Sequence, residues 1–182
     1  MSDFPVYKIV FLSAIALFTV VTAWTDLKSR KIYNKVTLPM WIAGWVYQAV
    51  FHQTDGLLSG LYGFGVGFGL FYVLWMIGSA GGGDVKLIGA LSVWLGPGLT
   101  LKVMLASLIF VVMGTFLVVV GGVFRQGWRK TQAKYSPKAG DTKRARSAPE
   151  TVDQKSKRRV MAFAMPVALA TWSVLILFPA HW

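Results

Sequence analysis

The sequence predicts an all-α integral membrane protein that crosses the bilayer about six times. Two observations carry this prediction: 55% of the 182 residues are hydrophobic, and they are gathered into long apolar runs. A soluble core of this size does not need so much apolar sequence, whereas apolar runs approaching about 20 residues are typical of transmembrane helices. The absence of cysteine excludes disulfides, thiolate zinc sites and a cysteine nucleophile.

Six apolar segments follow one another along the chain. They run from Ile9 to Trp24, Val36 to Phe51, Leu57 to Ser79, Val85 to Leu95, Leu99 to Phe124 and Val160 to Phe178. The second and fourth are short, because a span needs about 17–25 residues. Gly96-Pro97-Gly98 predicts a turn between the fourth and the fifth. Glycines within 61–69 fall partly at GxxxG spacing, which favours close helix packing over the alternative of dimerisation. We take residues 1–182 as one membrane domain.

The segment 125–159 is basic and has few aliphatic side chains. It contains twelve of the nineteen Lys and Arg residues, which accounts for most of the net charge of +12. A stretch of this composition cannot bury enough apolar surface to fold alone, so it predicts a disordered loop between the last two helices. Because the loop is tethered at the bilayer, its charge predicts anionic membrane lipids as a partner, and no nucleic acid.

The positions of Lys and Arg predict that both termini lie outside the cytoplasm. In that orientation seventeen of the nineteen cations face the cytoplasm, and only Lys8 and Lys102 lie outside. Residues 1–24 could alternatively be a cleaved signal peptide. However, four cations follow this first apolar stretch and one precedes it, which favours an uncleaved helix with its carboxyl end in the cytoplasm.

Two of the seven acidic residues, Asp26 and Asp84, fall at the predicted cytoplasmic membrane edge. The other five lie in the basic loop or on the outer side: Asp3, Asp55, Asp141, Glu150 and Asp153. A structural role is open for both edge residues, since Asp26 could pair with Lys28 or Arg30, and Asp84 could be the N-cap of the next helix. Alternatively, helix packing brings the two carboxylates together as a functional pair.

A pair of adjacent carboxylates suits hydrolysis of a peptide bond without metal or thiol. The two groups share one proton, so the ionised one can take a proton from water while the other donates to the scissile carbonyl oxygen. Both histidines, His52 and His181, fall on the predicted outer side, so a serine–histidine site at the inner face is excluded.

Three glycines precede Asp84. Without side chains, their backbone can approach an extended substrate and adopt positive φ, although a simple helix break is the other interpretation. They are Gly81, Gly82 and Gly83. On a helix, Lys86 points about 200° away from Asp84, so we expect it to reach lipid phosphate rather than take part in catalysis. Arg30 and Asn34 could orient the loop after the first helix or bind lipid phosphate.

Three stretches resemble the type IV prepilin peptidases. AGGGDVKL, residues 80–87, is similar to the GxGD signature with its following Val-Lys-Leu. TDLKSRKIYN, residues 25–34, is similar to the first-aspartate motif, with Tyr33 where the family usually has proline. AFAMPVALA, residues 162–170, is similar to the last helix of the family. Nearly the whole chain follows the family's order and spacing.

The resemblance implies a membrane aspartic endopeptidase that needs no cofactor. Such enzymes remove the short basic leader of prepilin or pseudopilin precursors at the cytoplasmic face of the bacterial inner membrane. By motif match, Asp26 and Asp84 are the catalytic pair. The lack of a cysteine-bearing N-terminal segment is similar to the compact, peptidase-only form associated with tight-adherence (Flp) pili, and predicts that no methyl transfer follows cleavage.

Other readings of the same residues stay open. Presenilin-like proteases share GxGD, but their first aspartate lies within a helix in a Tyr-Asp context, which fits Thr25-Asp26 less well. A non-catalytic assembly factor of a pilus or secretion system could keep the same fold. A small proton-coupled transporter could use the two acids as proton carriers, although a carrier more often holds its acid in mid-membrane and has paired half-repeats.

Overall fold

The computed structural model describes residues 5–126 and 163–179, and all of the regular secondary structure in them is helical. The helices are α1 (Val6–Ser29), α2 (Asn34–Met76), α3 (Gly82–Gln126) and α4 (Ala164–Leu177). Three described stretches are long and apolar enough to cross a membrane: Val6–Ser29, Asn34–Met76 and Gly82–Val118. The predicted all-α membrane class is therefore confirmed at this level, whereas six separate spans and the orientation of the termini stay predictions.

Helix α2 folds back on itself at Gln53, which has φ 53° and ψ −136°. The rings of Trp41 and Phe64 lie 5.9 Å apart. In a straight helix these two residues would be separated by about 35 Å. The parts of α2 before and after Gln53, 34–52 and 54–76, are therefore antiparallel neighbours, and the break falls between the second and third apolar segments of the sequence.

Helix α3 breaks at Gly96, where φ is 67° and ψ is 177°. Pro97 begins the second part, because the first turn of a helix leaves its N–H groups unpaired and loses nothing when proline has none. The predicted turn at residues 96–98 is confirmed. The apolar segments predicted to end at about Ser79 and to begin at about Val85 correspond to helix bounds three residues earlier, at Met76 for the end of α2 and Gly82 for the start of α3.

The chain divides into two compact units, Met1–Phe110 with Ala162–Trp182, and Val111–Met161. Of the second unit, the described residues are the end of α3, 111–126. Apart from its first two residues, the predicted basic loop 125–159 lies outside the described residues, so its disorder and the single-domain organisation stay predictions.

The first part of α3 is the central helix of the first unit. Every residue from 87 to 96 is buried, and a helix that is apolar all round is expected at the centre of a bundle. Helix α1 packs on α4 and on α2. Apolar side chains on the outer surface of α1, such as Leu17 and Val20, are exposed, as they would be against lipid. Burial on all sides therefore holds the first part of α3, which carries Asp84, in place.

Two glycines hold the second part of α2 against this central helix. A Cβ atom at Gly63 would overlap the Ser92 carbonyl oxygen and lie 2.9 Å from the Gly96 Cα, and one at Gly67 would lie 2.7 Å from the Ser92 Cβ. Nothing lies within 4 Å of a Cβ built at Gly65 or Gly69. The close helix packing predicted from the glycines of 61–69 is confirmed for Gly63 and Gly67.

Candidate active site

Asp26 lies in the last turn of α1 on the face that packs against α4. Its side chain is 1% exposed, and its Oδ2 accepts a hydrogen bond of 2.8 Å from the backbone N–H of Ala164. Ala164 is the first residue of α4, where N–H groups have no partner within the helix and where the helix dipole stabilises negative charge. The fold therefore buries this carboxylate against the positive end of α4.

The same face of α1 carries other buried polar groups that stay within the helix pair. Thr22 Oγ1 donates to the Phe18 carbonyl oxygen at 2.6 Å. The indole N–H of Trp172, on α4, donates to Thr19 Oγ1 at 3.2 Å. The first bond satisfies the Thr22 hydroxyl within α1, whereas the second joins α1 to α4, as the bond from Ala164 to Asp26 does.

Asp84 lies in the first turn of α3 and is 5% exposed. Its Oδ2 accepts a hydrogen bond of 3.0 Å from the backbone N–H of Gly81, while its own N–H donates to the Gly81 carbonyl oxygen at 2.9 Å. This is the geometry of an acidic residue that reaches back to the start of its own helix. The interpretation of Asp84 as the N-cap is wrong, because Asp84 is the third residue of α3.

Two contacts join the start of α3 to the link after α1 and to the start of α2. A Cβ built at Gly83 would lie 3.2 Å from the Ile32 Cβ, so a side chain at this position would crowd Ile32. Lys86 Nζ donates a hydrogen bond of 2.9 Å to Asn34 Oδ1. Together with the bond between Asp26 and α4, these contacts gather the end of α1 and the starts of α2, α3 and α4 at one end of the unit.

His52 and Asp55 lie at the other end of the unit from Asp26 and Asp84. His52 and Asp55 line a cavity of about 360 Å³ together with Tyr7 and Lys8, near the start of α1. Lys8 and Asp26 are separated by about 27 Å along α1. Among the described residues, Asp26 and Asp84 are therefore the two buried acids, and Asp55 is exposed.

Residues 13–120, more than half of the chain, match the model of the type IV leader peptidase family. The chain belongs to this family. No curated protein and no solved structure matches the chain. Membership implies a peptidase of prepilin-like leader sequences that resides in a membrane, and the matched range includes both buried acids of this family member.

Several local expectations for this leader peptidase differ from the structure. The glycines 81–83 do not take positive φ; among the described glycines, Gly78 and Gly96 do. Gly82 and Gly83 instead lie in the first turn of α3, and Gly83 packs closely on Ile32. Within the described residues, Asp26 bonds to Ala164 rather than to Lys28 or Arg30.

The other predicted site residues shape the link after α1. Arg30 ends the helix in the left-handed conformation, with φ 50°, and its N–H donates to the Asp26 carbonyl oxygen at 2.8 Å. Asn34 begins α2 and bonds to Lys86. The backbone of Arg30 thus closes the last turn of α1, and the side-chain amide of Asn34 accepts the bond from Lys86.

Ala164 is the contact of Asp26 that the sequence does not predict. The pair is separated by 138 positions, and a backbone N–H carries no signal in a side-chain pattern. The small-residue stretch 162–170 is the available indication in the sequence, because small residues at the start of a helix favour close packing against a neighbouring segment. Ala164 is 1% exposed, which is consistent with such tight packing.

Proposed function

We propose that the chain is a membrane-embedded aspartic endopeptidase that removes the basic leader of a prepilin or pseudopilin at the cytoplasmic membrane face. Asp26 and Asp84 are its catalytic pair. The observation that carries this proposal is the burial of these two carboxylates at the end of the unit where α1 ends and α3 and α4 begin. Family membership supports the same reaction class.

In the proposed reaction, one carboxylate takes a proton from a water molecule as the water oxygen attacks the scissile carbonyl carbon. The other, protonated carboxyl donates its proton to the carbonyl oxygen, which gives a neutral tetrahedral intermediate. The intermediate collapses when the first carboxyl passes the proton it took from water to the amide nitrogen, the second, now ionised, takes a proton from a hydroxyl of the intermediate, and the C–N bond breaks. A site with a low dielectric constant strengthens these charge interactions, which suits two buried acids.

The link residues act in this proposal by positioning. Gly83 packs on Ile32, and Lys86 bonds to Asn34, so the chain after Asp26 is tied to the helix that carries Asp84. Gly81 supplies the N–H that orients the Asp84 carboxylate. Gly82 lies between Gly81 and Asp84, in the first turn of α3. These contacts favour a fixed mutual position of the two acids.

A non-catalytic assembly factor is the alternative with an observation in its favour. Each carboxylate accepts a backbone N–H at a helix start, from Ala164 for Asp26 and from Gly81 for Asp84. Such bonds would stabilise the fold even if no reaction took place. The alternative predicts that the purified chain leaves a prepilin intact.

Cleavage by the purified chain tests the proposed function. We expect the full chain in detergent to shorten a co-purified prepilin by the mass of its leader, read by intact-protein mass spectrometry. We also expect the rate to stay unchanged after chelation of divalent metals and after treatment with thiol reagents, because the mechanism uses two carboxylates and the chain has no cysteine. Loss of activity on chelation, restored by one metal, would contradict the aspartic mechanism.

The orientation of the membrane segments can be tested separately. We expect a reporter that is active only in the cytoplasm to function when it is inserted into the basic segment 125–159, and to be silent when it is fused after Trp182. The reason is that this segment carries twelve cations, which strongly favour the cytoplasmic side. The reverse pattern would place the candidate active site outside the cytoplasm, whereas the proposed function requires it at the cytoplasmic membrane face.

A further inference from the structure

A groove lies on the side of α3 that faces away from Asp84. Its volume is about 310 Å³, and it is formed by both parts of α2 and the first part of α3. Its walls are apolar and its mouth is polar: Leu38, Trp41, Phe64 and Phe68 form walls, and Asn34 and Lys86 lie at the mouth.

The angular positions on α3 separate this groove from the candidate active site. At 3.6 residues per turn, Lys86 lies about 200° and Ala90 about 240° around the helix axis from Asp84. Lys86 is exposed, whereas Asp84 is buried. Neither Asp26 nor Asp84 lines the groove, which shares with the candidate active site the Asn34–Lys86 contact at its mouth.

The walls of the groove are aromatic and open toward the outer surface. Phe64 and Phe68 stack at 4.9 Å, and the Trp41 ring lies 5.9 Å from Phe64. Leu38 is 55% exposed, so the groove can be entered from the surface that would meet lipid. From Asn34 to Trp41 it extends about 10 Å along α2.

The mouth of the groove carries one positive charge. Lys86 Nζ donates to Asn34 Oδ1 at 2.9 Å, and the neutral amide does not cancel the charge of the ammonium. An ammonium has three N–H donors, and the bond to Asn34 uses one of them. Lys86 can therefore keep this orientation and still donate to an anion.

We propose that this groove binds one anionic phospholipid, with its phosphate on Lys86 and Asn34 and an acyl chain along the aromatic walls. The charge at the mouth and the apolar walls match the two halves of such a lipid. A basic leader would be repelled by Lys86, and the groove lies away from Asp84, so the peptide substrate fits it less well. The bound lipid would hold both parts of α2 to the central helix.

Native mass spectrometry of the full chain in a neutral detergent tests the proposal without any cleavage reaction. The probes are phosphatidylglycerol, phosphatidylcholine with the same acyl chains, and glycerol phosphate, which has no acyl chain. We expect one retained phosphatidylglycerol, binding of phosphatidylcholine that is about fivefold weaker because the net charge is lost, and no retained glycerol phosphate. Equal retention of the two phospholipids would overturn the proposal.

Matched variants locate the bound lipid. Lys86→Gln should weaken retention of phosphatidylglycerol about fivefold, whereas Lys28→Gln, at an exposed cation outside the groove, should not change it. Leu38→Trp should displace the lipid by filling the groove, whereas Leu17→Trp, at an exposed position on α1, should not. Unchanged thermal unfolding of each lipid-free variant controls for folding.

Two results would assign the groove differently. If Lys86→Gln and Leu38→Trp both retain the lipid as the unaltered chain does, the lipid lies elsewhere and the proposal is wrong. If a peptide with the apolar segment of a prepilin, without its basic leader, displaces the lipid one for one, the groove belongs to the substrate. Because no cleavage is measured, either failure would leave the proposed peptidase function untouched.

Discussion

Asp26→Asn and Asp84→Asn should each lower the rate of leader cleavage by at least about a hundredfold, because a positioned acid or base contributes about 10²–10⁴ in rate. Asparagine has nearly the shape of aspartate but can neither take a proton from water nor donate a carboxylic proton. The measurement is the initial rate of leader removal from a prepilin by equal amounts of each purified variant.

The hydrogen bonds of the two carboxylates make asparagine the informative substitution. An amide oxygen can still accept the N–H of Ala164 at position 26 and the N–H of Gly81 at position 84. The helix starts therefore keep an acceptor, and we expect the thermal unfolding temperature of both variants to stay close to that of the unaltered chain. Alanine at either position removes the acceptor; at position 26 it leaves the buried N–H of Ala164 unpaired, which costs about 1–3 kcal/mol, and the cost is smaller at position 84 because the bond from Gly81 is only partly buried.

This difference separates catalysis from a purely structural role. If the carboxylates only stabilise helix starts, the asparagine variants cleave normally and the alanine variants unfold more easily. Asp55→Asn is the matched control, since Asp55 is exposed and lies near the start of α1, at the other end of the unit. We expect normal cleavage from it. Near-normal cleavage by either Asp26→Asn or Asp84→Asn would contradict the proposal that these two residues are the catalytic pair.

The helical class and the candidate acids could be predicted from the sequence because their signals are local. Apolar runs mark the helices, and an acidic residue at the end of an apolar run is conspicuous. Asp26 and Asp84 are accordingly found in the last turn of α1 and the first turn of α3. Gly96 and Pro97 mark the break in α3 in the same way, since glycine can adopt the positive φ found there and proline has no N–H for a preceding helix turn.

The contacts that join distant parts of the chain could not be predicted in this way. The partner of Asp26 is a backbone N–H 138 positions away, and the sharp break in α2 falls at Gln53, a residue with no intrinsic preference for φ 53°. Tertiary packing, such as the contact between the Trp41 and Phe64 rings, stabilises that turn more than its own sequence does. The three glycines before Asp84 predict backbone freedom, whereas the close approach of Gly83 to Ile32 is visible only in the folded chain.

Gly63→Ala should destabilise the protein by about 1–3 kcal/mol, the usual cost of overpacking. The added methyl group would overlap the Ser92 carbonyl oxygen and approach the Gly96 Cα to 2.9 Å. Both neighbours are backbone atoms of the central helix, so no side-chain rotation can relieve the overlap. The measurement is thermal unfolding of the full chain in detergent, and we expect a clearly lower midpoint.

Gly65→Ala is the matched control, because the same substitution is made two residues away on the same helix. Nothing lies within 4 Å of a Cβ at this position, and alanine favours a helix interior over glycine by about 1 kcal/mol. We therefore expect an unchanged or higher unfolding temperature. Since α3 also carries Asp84, about 12 Å along the helix from Ser92, a displaced α3 should lower cleavage in Gly63→Ala but not in Gly65→Ala. Equal unfolding temperatures for the two variants would mean that α2 and α3 do not pack through Gly63.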